Sequence, residues 1–428
     1  MPGHKRNTNF LGSKFPYDLD ITEIDGFDNL HKPEGIIKDI ENKAKEIYDS
    51  KNSFLLVNGS TAGILAGITS VLKRGDRTLI ARNCHKSVYN GLELAGAEVH
   101  YIFPEADEYG IFKAVDPIVL EKKIKDYNPK LIIITSPTYE GVHSDIKAIC
   151  KIAHSYNTPV MVDAAHGAHY TENVKYADIT IMSLHKTLPA LTQCALAHVN
   201  GNLVNADEFR IKLSVFGTSS PSYVLMASIE ECLDFFSDSK PLFERLSLER
   251  KNILKIFKSL NHLKVFEYDD ITKLIVFNGN SNISGIELAD MLRNDYNIEV
   301  EMASRDYIVL ITTVCDDFDS YQKLANALFE IDGSLKHNSF IASKIYDLPE
   351  KASNADYVCE KKAIDIKDSI GEICAEFIWA YPPGIPLIVP GEIILEQTVD
   401  YIIENIKLGV NVQSSYSKLP QKIYCQLR

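Results

Sequence analysis

Two polar residues, each placed at the end of a short apolar run, are of types that can do chemistry together. Lys186 follows the run 179–183 within Ser-Leu-His-Lys, and Asp163 ends the run 160–162. A lysine whose pKa is lowered becomes a nucleophile that forms a Schiff base with carbonyl carbons. A carboxylate can keep a pyridine nitrogen protonated, which makes the ring an electron sink. Alone, each residue is more often a solvated or structural group; together they indicate chemistry on bound pyridoxal 5′-phosphate (PLP).

A third motif has the composition of a phosphate site. Gly59, Ser60 and Thr61 lie between an apolar run and a helix-like segment. Small residues let the backbone approach a phosphate, and a helix N-terminus offers free N–H groups with a positive dipole end. The alternative for this motif alone is an ordinary Ser/Thr helix cap. Its position upstream of the aspartate and the lysine favours the phosphate site.

Several histidines and hydroxyl residues follow other predicted strands or turns. His85 could stack on a cofactor ring, or it could be a capping or surface histidine. His166 and His169 are three positions apart, but no nearby cysteine or carboxylate pattern completes a zinc ligand set, so we predict no metal site. The turn 218–223, Thr-Ser-Ser-Pro-Ser-Tyr, could cap a helix or offer hydroxyls to a phosphate.

Alternating apolar and amphipathic segments must position these residues. Helix-like segments are found at 61–73, 86–95, 116–127 and 145–156. The apolar runs between and after them are 54–57, 78–81, 98–103, 131–135, 159–163, 179–183 and 195–199. Strand–helix alternation predicts an α/β fold with a mostly parallel, doubly wound sheet of seven strands. Ligands of such sheets bind at the carboxyl ends of the strands.

The pattern divides the chain into three parts. Residues 1–50 show little periodicity and are predicted to be an N-terminal arm, and residues 51–260 a PLP-binding major domain that is mainly helical after residue 200. Residues 261–428 are predicted to be a smaller α+β domain. Its predicted strands are 273–277, 298–302 and 307–312, and its predicted helices 285–296 and 316–330. The segment 381–392 contains too many prolines and glycines for a helix and is predicted to be a fixed, extended loop.

Composition excludes some classes of function. The chain of 428 residues is 45% hydrophobic and 24% charged, which is typical of a globular protein with more than one domain. The formal net charge of −13 argues against nonspecific nucleic-acid binding. No apolar run approaches the roughly 20 residues that span a bilayer. Eight cysteines are scattered without a Cys-x-x-Cys pair, which predicts reduced thiols and a cytoplasmic protein.

The motifs and their order resemble the Orn/Lys/Arg decarboxylase family of fold-type I PLP-dependent enzymes, in its compact form without a wing domain. The segments that carry the resemblance are 2–5, 20–31, 58–63, 82–87, 136–141, 163–167, 183–193, 218–223 and 381–392. The most specific are His185-Lys186-Thr187-Leu188-Pro189 and the proline-rich segment 381–392. The resemblance implies a fold-type I major domain, like that of the PLP-dependent transferases, followed by a smaller C-terminal domain.

The resemblance also implies roles for individual residues. Lys186 carries the cofactor as a Schiff base, Asp163 pairs with the pyridinium nitrogen and His85 stacks on one ring face, while His166 lies near the other side. The phosphate is cradled by Gly59, Ser60 and Thr61 together with Ser183 and His185. Thr218 and Ser219 reach the phosphate from a neighbouring subunit, which implies a homodimer, or a higher homo-oligomer, with shared active sites.

The implied reaction is decarboxylation of arginine, lysine or ornithine to a polyamine-type amine and CO₂, as in polyamine biosynthesis. His185 or Lys186 then returns a proton to Cα. A carboxylate must recognise the distal cation of the substrate. Glu376, just before the proline-rich segment, is the candidate, and a surface glutamate is the alternative for it.

Two other functions are compatible with these motifs. One is a different PLP reaction, such as transamination or carbon–carbon lyase chemistry. Aminotransferases of this fold usually follow the lysine with glycine and arginine, and residues 187–197 contain neither, which favours decarboxylation. The other is a noncatalytic regulatory relative. Such a relative would lack the lysine or the aspartate, and both are present.

Overall fold

The computed structural model describes residues 2–7, 15–338, 349 and 360–427. Its first large unit is a sheet of seven strands in the order β1-β7-β6-β5-β4-β2-β3. The strands are β1 (Asn52–Leu56), β2 (Arg77–Ala81), β3 (Glu98–Ile102), β4 (Leu131–Thr135), β5 (Val160–Asp163), β6 (Ile179–Ser183) and β7 (Ala195–Val199). The pairs β2–β3, β2–β4, β4–β5 and β5–β6 are parallel, and β7 is antiparallel to both of its neighbours. The predicted fold class and its mostly parallel sheet are confirmed.

The strands form because their sequences are almost continuously apolar, which suits a sheet covered by helices on both faces. The helices of this unit are α1 (Ile36–Tyr48), α2 (Gly59–Val71), α3 (Lys86–Ala95), α4 (Pro117–Tyr127), α5 (Ile146–Ser155) and α6 (Leu184–Thr187). Helix α2 lies close on the sheet because Gly63 has no side chain. A Cβ there would lie 2.7 Å from Cδ1 of Leu56. This close approach fixes the N-terminus of α2 at the carboxyl edge of the sheet.

The predicted lack of periodicity in the first 50 residues is wrong for α1. Ile37, Ile40, Ala44 and Tyr48 recur at helical spacing, are buried and belong to the main hydrophobic core. The side-chain hydroxyl of Tyr48 donates a hydrogen bond to the backbone oxygen of Ala168 at 2.7 Å. The helix in this part of the chain therefore packs as a layer of the major unit.

A second unit follows three helices, α7 (Ala206–Phe216), α8 (Tyr223–Ser237) and α9 (Lys240–Phe257). It contains the antiparallel sheet β10-β11-β9-β8 and has a hydrophobic core of its own. Its further elements are β8 (Lys264–Phe266), β9 (Lys273–Phe277), α10 (Gly285–Tyr296), β10 (Met302–Ala303), β11 (Tyr307–Ile311) and α11 (Phe318–Ser334).

The predicted strand 298–302 is wrong except for Met302. The amides of Asn297 and Ile298 donate to Arg293 and Leu292 as the C-terminal cap of α10, so Ile298 cannot pair in a ladder. The next residues reach the sheet edge only at Glu301, whose amide donates to the oxygen of Val309 at 2.9 Å. The cap therefore turns the chain so that Glu301 lies immediately before β10.

Residues 360–427 form a third group around a separate hydrophobic core. They contain a two-stranded sheet, a three-stranded sheet and one helix. The elements are β12 (Lys361–Asp365), β13 (Ile378–Ala380), β14 (Pro386–Ile388), α12 (Glu396–Lys407), β15 (Val412–Ser414) and β16 (Lys422–Gln426). The 381–392 segment is not helical, as predicted, and its centre is strand β14. The proposed division at residues 50 and 260 stays a prediction.

No helix among residues 2–7, 15–338, 349 and 360–427 combines the length and the apolar composition needed to cross a bilayer.

Candidate active site

The carboxyl ends of β5 and β6 bring Lys186 and Asp163 to the same edge of the sheet. Asp163 is the last residue of β5, and Lys186 lies in the single turn α6 that follows β6. Strands β5 and β6 are parallel neighbours, in register at Asp163 and Ile181. The amine of Lys186 lies 2.8 Å from Nε2 of His166, in the turn that leaves β5. The structure thus joins two of the motifs that the sequence singled out.

Burial favours the uncharged form of the Lys186 amine. It lowers the pKa of the amine, and the positive charge of Lys273 acts in the same direction, while Asp163 and Glu301 oppose it. Desolvation disfavours the charged form of a lysine because the ammonium loses its hydration. The free amine is the form that attacks a carbonyl carbon.

The side chain of Asp163 is buried, with 2% exposure. Its Oδ1 accepts a hydrogen bond from the amide of Ala165 at 3.1 Å. Burial raises the pKa of Asp163, against the opposing effects of Ala165 and Lys186. A protonated ring nitrogen placed against this carboxylate would stabilise its ionised form, because opposite charges favour ionisation of both groups.

Burial lowers the pKa of the histidines at this edge, which favours their uncharged forms. Burial, with the charges of Lys186 and Lys86, lowers the pKa of His85 to about 4. Burial also lowers the pKa of His166 well below its usual range. His185 donates from Nδ1 to the backbone oxygen of Cys194 at 3.1 Å, and burial lowers its pKa as well. Neutral imidazoles can lie against a cationic ring without repelling it.

The N-terminus of α2 has the features of an anion site. Its first residues are Gly59, Ser60 and Thr61, and no side chain caps the helix. Gly59 has φ +74°, and a Cβ built there would meet no atom within 4 Å, so open space adjoins the helix end. Ser183 is buried at the end of β6, on the same edge of the sheet. The amide of Gly59 donates to the backbone oxygen of Gln193 at 3.0 Å, and the amides that follow it, beside open space, can donate hydrogen bonds to a phosphate.

The hydroxyls of the 218–223 turn were predicted to bind the phosphate. No contact among the described residues links this turn to Lys186. Thr218 is half-buried, and its backbone oxygen accepts a hydrogen bond from Nε2 of His31 at 2.8 Å. Ser219 is exposed. Thr218 lies on a small cavity that Asn58 also lines. The turn is therefore near the α2 N-terminus, but two of its hydroxyl residues, Ser219 and Ser220, are exposed.

The expectation that Glu376 recognises substrate is not supported by its position. Glu376 is fully buried in the third unit and does not reach the Lys186 cluster through any contact of the described residues. Its carboxylate accepts hydrogen bonds from the amides of Ser417 at 3.0 Å and Tyr424 at 2.7 Å, and from the hydroxyl of Ser414. A carboxylate enclosed in this way holds the 414–424 segment together and has no face for an incoming cation.

Sequence reasoning missed Tyr139 and Glu301 as site residues. The ring of Tyr139 lies 4.6 Å from that of His166, and its hydroxyl donates a hydrogen bond to Glu301. Glu301 is half-buried, and its charge acts on Lys186, His185 and Lys273. It comes from the second unit, so spacing along the chain carries no signal for it. Tyr139 lies in segment 136–141, which is part of the family resemblance but received no predicted role.

Four observations of this structure indicate that these residues suit PLP as a cofactor. Asp163 lies at a strand end where it can face a ring nitrogen, and the amine of Lys186 lies beside His166. The Nδ1 atom of His166 is buried without a hydrogen-bond partner. The open N-terminus of α2 can take the phosphate. The donor set therefore matches a phosphorylated pyridine aldehyde.

Comparisons with known proteins agree with this chemistry. A family model described as the Orn/Lys/Arg decarboxylase major domain matches residues 2–271, and its C-terminal domain model matches residues 336–409. Arginine decarboxylase of Bacillus subtilis (strain 168) is 31% identical, with 96% of this chain and 91% of that protein covered.

Solved structures share the fold. A lysine decarboxylase of Francisella novicida has a TM-score of 0.83 at 17% identity, covering 100% of this chain and 78% of that chain. The ureidoglycine-glyoxylate aminotransferase of Bacillus subtilis has a TM-score of 0.60 at 18% identity, covering 73% of this chain and 87% of that one. At these identities the likeness concerns the fold alone, and the fold hosts both kinds of reaction.

Proposed function

The chain belongs to the Orn/Lys/Arg decarboxylase family and is a decarboxylase, and we propose that it removes the α-carboxylate of a basic amino acid with PLP held on Lys186. The observation that carries the proposal is the position of half-buried Lys186 and buried Asp163 at the carboxyl ends of adjacent strands. When bound there, PLP would supply an electron sink for the pair of electrons that carbon dioxide leaves behind.

The chain's own residues would prepare and finish the reaction. Asp163 would keep the ring nitrogen protonated, and His85 and His166 would lie against the two sides of the ring. The amine of Lys186 would hold the cofactor and could also hold the proton that returns to Cα. We propose Lys186 over His185 as the donor, because Nδ1 of His185 is bound to a backbone oxygen at 3.1 Å.

We propose Glu301 as the carboxylate that recognises the distal cation of the substrate. It is half-buried, acts electrostatically on Lys186 and is oriented by the hydroxyl of Tyr139. A charge-assisted hydrogen bond from an ammonium or guanidinium group to such a carboxylate is roughly twice as strong as a neutral one. This proposal replaces Glu376 in that role.

Glu301→Gln is expected to lower kcat/KM about 100-fold, equal to about 3 kcal/mol, because the amide keeps the shape but loses the charge. We expect KM to rise more than kcat falls, because the carboxylate binds the distal cation of the substrate equally in the ground state and in the transition state. Steady-state kinetics would measure the split. The matched control is Glu299→Gln, two positions away, whose carboxylate pairs with Arg293 at 2.8 Å. An equal loss in both variants would contradict the role of Glu301.

A substrate panel separates the proposed reaction from its rivals. Arginine, lysine and ornithine would each be incubated with the PLP-loaded protein, and the products identified by mass spectrometry. The proposal predicts CO₂ and the matching amine from at least one of them. A keto acid would indicate transamination, and no product from any of the three would favour a noncatalytic relative. The panel also decides which basic amino acid is used.

We further propose a homodimer with two composite active sites, because Ser219 is exposed and its neighbour Thr218 lines a small cavity together with Asn58, the residue before α2. Closed two-fold dimers are the commonest soluble oligomers. Cytoplasmic location and a place in polyamine biosynthesis remain proposals. The free cysteines of the described residues, six of them buried, agree with a reducing compartment.

Mixing two inactive variants tests the composite site. One is Lys186→Ala, and the other carries alanine at positions 218, 219 and 220. We expect activity to recover to about a quarter of wild type at random subunit exchange, because one site of each mixed dimer is intact. Amine release after mixing would measure it. If subunits are shown to exchange and no activity returns, each site is built within one chain.

A further inference from the structure

The segment 82–86, which contains His85, is held by the distant 381–392 loop. Arg82 and Glu392, both fully buried, pair through Nε–Oε1 at 2.7 Å and Nη2–Oε2 at 2.9 Å. Arg82 Nη1 also donates to the backbone oxygen of Pro386 at 2.8 Å. A bidentate arginine–carboxylate pair fixes both distance and orientation. The pair therefore anchors the loop to the start of the His85 segment.

Gly384, at the centre of the loop, touches the His85 ring itself. Its backbone oxygen accepts a hydrogen bond from the amide of Lys86 at 3.0 Å. A Cβ built on Gly384 would lie 2.9 Å from Nε2 and 3.1 Å from Cδ2 of His85. Those atoms are the outer edge of a side chain that can rotate. A side chain at position 384 would therefore turn the ring.

The opposite edge of the ring is fixed by its own helix. His85 Nδ1 accepts from the amide of Ser87 at 3.2 Å and lies 2.8 Å from its hydroxyl oxygen. The ring is thus held between Ser87 on one edge and Gly384 on the other. Neither contact involves Lys186 or Asp163, so the geometry of the ring is set independently of the reacting groups.

We propose that the 381–392 loop is a positioning element for His85, and that Gly384 sets the plane in which the ring faces the cofactor. Gly384 acts only through His85 and is a positioning residue. The cofactor part of the inference rests on the proposed function. The coupling between Gly384 and His85 does not, because it is a property of the chain alone.

The chain offers a matched control for glycine replacement. Gly371, in the same unit, has φ +86°, close to the +84° of Gly384, but a Cβ there would meet no atom within 4 Å. Gly371→Ala and Gly384→Ala therefore share the backbone strain of an alanine at positive φ. They differ in the contact with the His85 ring. Any difference between them reports on that contact.

The experiment compares Gly384→Ala, Gly371→Ala, His85→Ala and the double variant His85→Ala/Gly384→Ala. Cofactor affinity would be measured by titrating the apoprotein with PLP, and the bound state by circular dichroism in the visible range. We expect Gly384→Ala to weaken PLP binding about tenfold, equal to about 1.4 kcal/mol, and to alter the visible band. Gly371→Ala should alter neither. In the His85→Ala background, Gly384→Ala should have no further effect on PLP affinity.

Equal effects of Gly384→Ala with and without the His85 ring would overturn the proposal, as would an unchanged visible band. If Gly384→Ala does not fold, the double variant must fold, because removal of the ring removes the contact; failure of both also overturns it. If the wild type does not bind PLP, the proposed function fails. The unfolding midpoints of the four apoproteins then still decide whether positions 384 and 85 are coupled.

Discussion

Replacing Lys186 by alanine is expected to abolish turnover and the covalent attachment of PLP. Burial lowers the pKa of this amine, so it is ready to form a Schiff base. Two other lysines that act on the site histidines are engaged elsewhere: Lys273 pairs with Asp270 at 3.6 Å, and the Lys86 amine lies 3.7 Å from the Trp379 ring centre. We expect the rate to fall by roughly 10⁴-fold or more. Amine release and visible absorption would measure both losses.

Lys186→Arg is the matched control for charge. Arginine keeps a cation at the strand end but cannot lose its proton to become a nucleophile. Both variants should therefore be inactive, while their unfolding midpoints stay near wild type because no packed apolar group is removed. A variant at position 186 that still turns over and still absorbs in the visible range would show that another amine carries the cofactor.

Replacing Asp163 by alanine is expected to lower kcat by roughly 10²–10⁴-fold while PLP still binds Lys186. Without the carboxylate, the ring nitrogen loses the opposite charge that keeps it protonated, and the ring becomes a weak electron sink. Loss of one such electrostatic partner is typically worth about 10²–10³ in rate. Single-turnover kinetics would isolate the chemical step. A kcat near wild type would show that Asp163 is only structural.

Stability measurements can separate the loss of rate in Asp163 variants from a loss of folded protein. Burial raises the folded-state pKa of Asp163, so its ionisation opposes folding as the pH rises through that pKa. Asp163→Asn removes this cost, so the apoprotein should unfold at an equal or higher denaturant concentration at neutral pH. It should nevertheless lose as much rate as Asp163→Ala. A less stable Asp163→Asn protein would contradict the assigned environment.

The main sheet and its two central residues could be predicted because their signals are local. Runs such as Leu131–Thr135 are apolar on both faces, and only a covered sheet explains them. Lys186 and Asp163 follow such runs, and parallel strands bring their carboxyl ends to one edge. The local sequence pattern therefore predicts both the main sheet and the positions of Lys186 and Asp163 at its edge.

Residues contributed by other units could not be predicted in this way. The cap of α10 at Asn297 turns the chain before β10, and although an asparagine there can signal the end of a helix, it does not indicate which distant residues Glu301 will face. Glu376 precedes the proline-rich loop along the chain, and proximity in sequence suggested proximity in space. Its neighbours are instead the amides of the 414–424 segment, which pairing within the third unit brings together. Helix α1 could have been predicted, because the helical spacing of its apolar residues is visible in the sequence.

Mapping the attachment point of the cofactor tests the account most directly. The PLP-loaded protein would be reduced with borohydride, digested and analysed by mass spectrometry. We expect one pyridoxyl-modified peptide, which contains residues 183–189 and is modified at Lys186. Modification at Lys86, Lys273 or any other lysine, or no modification in a protein that decarboxylates its substrate, would contradict it.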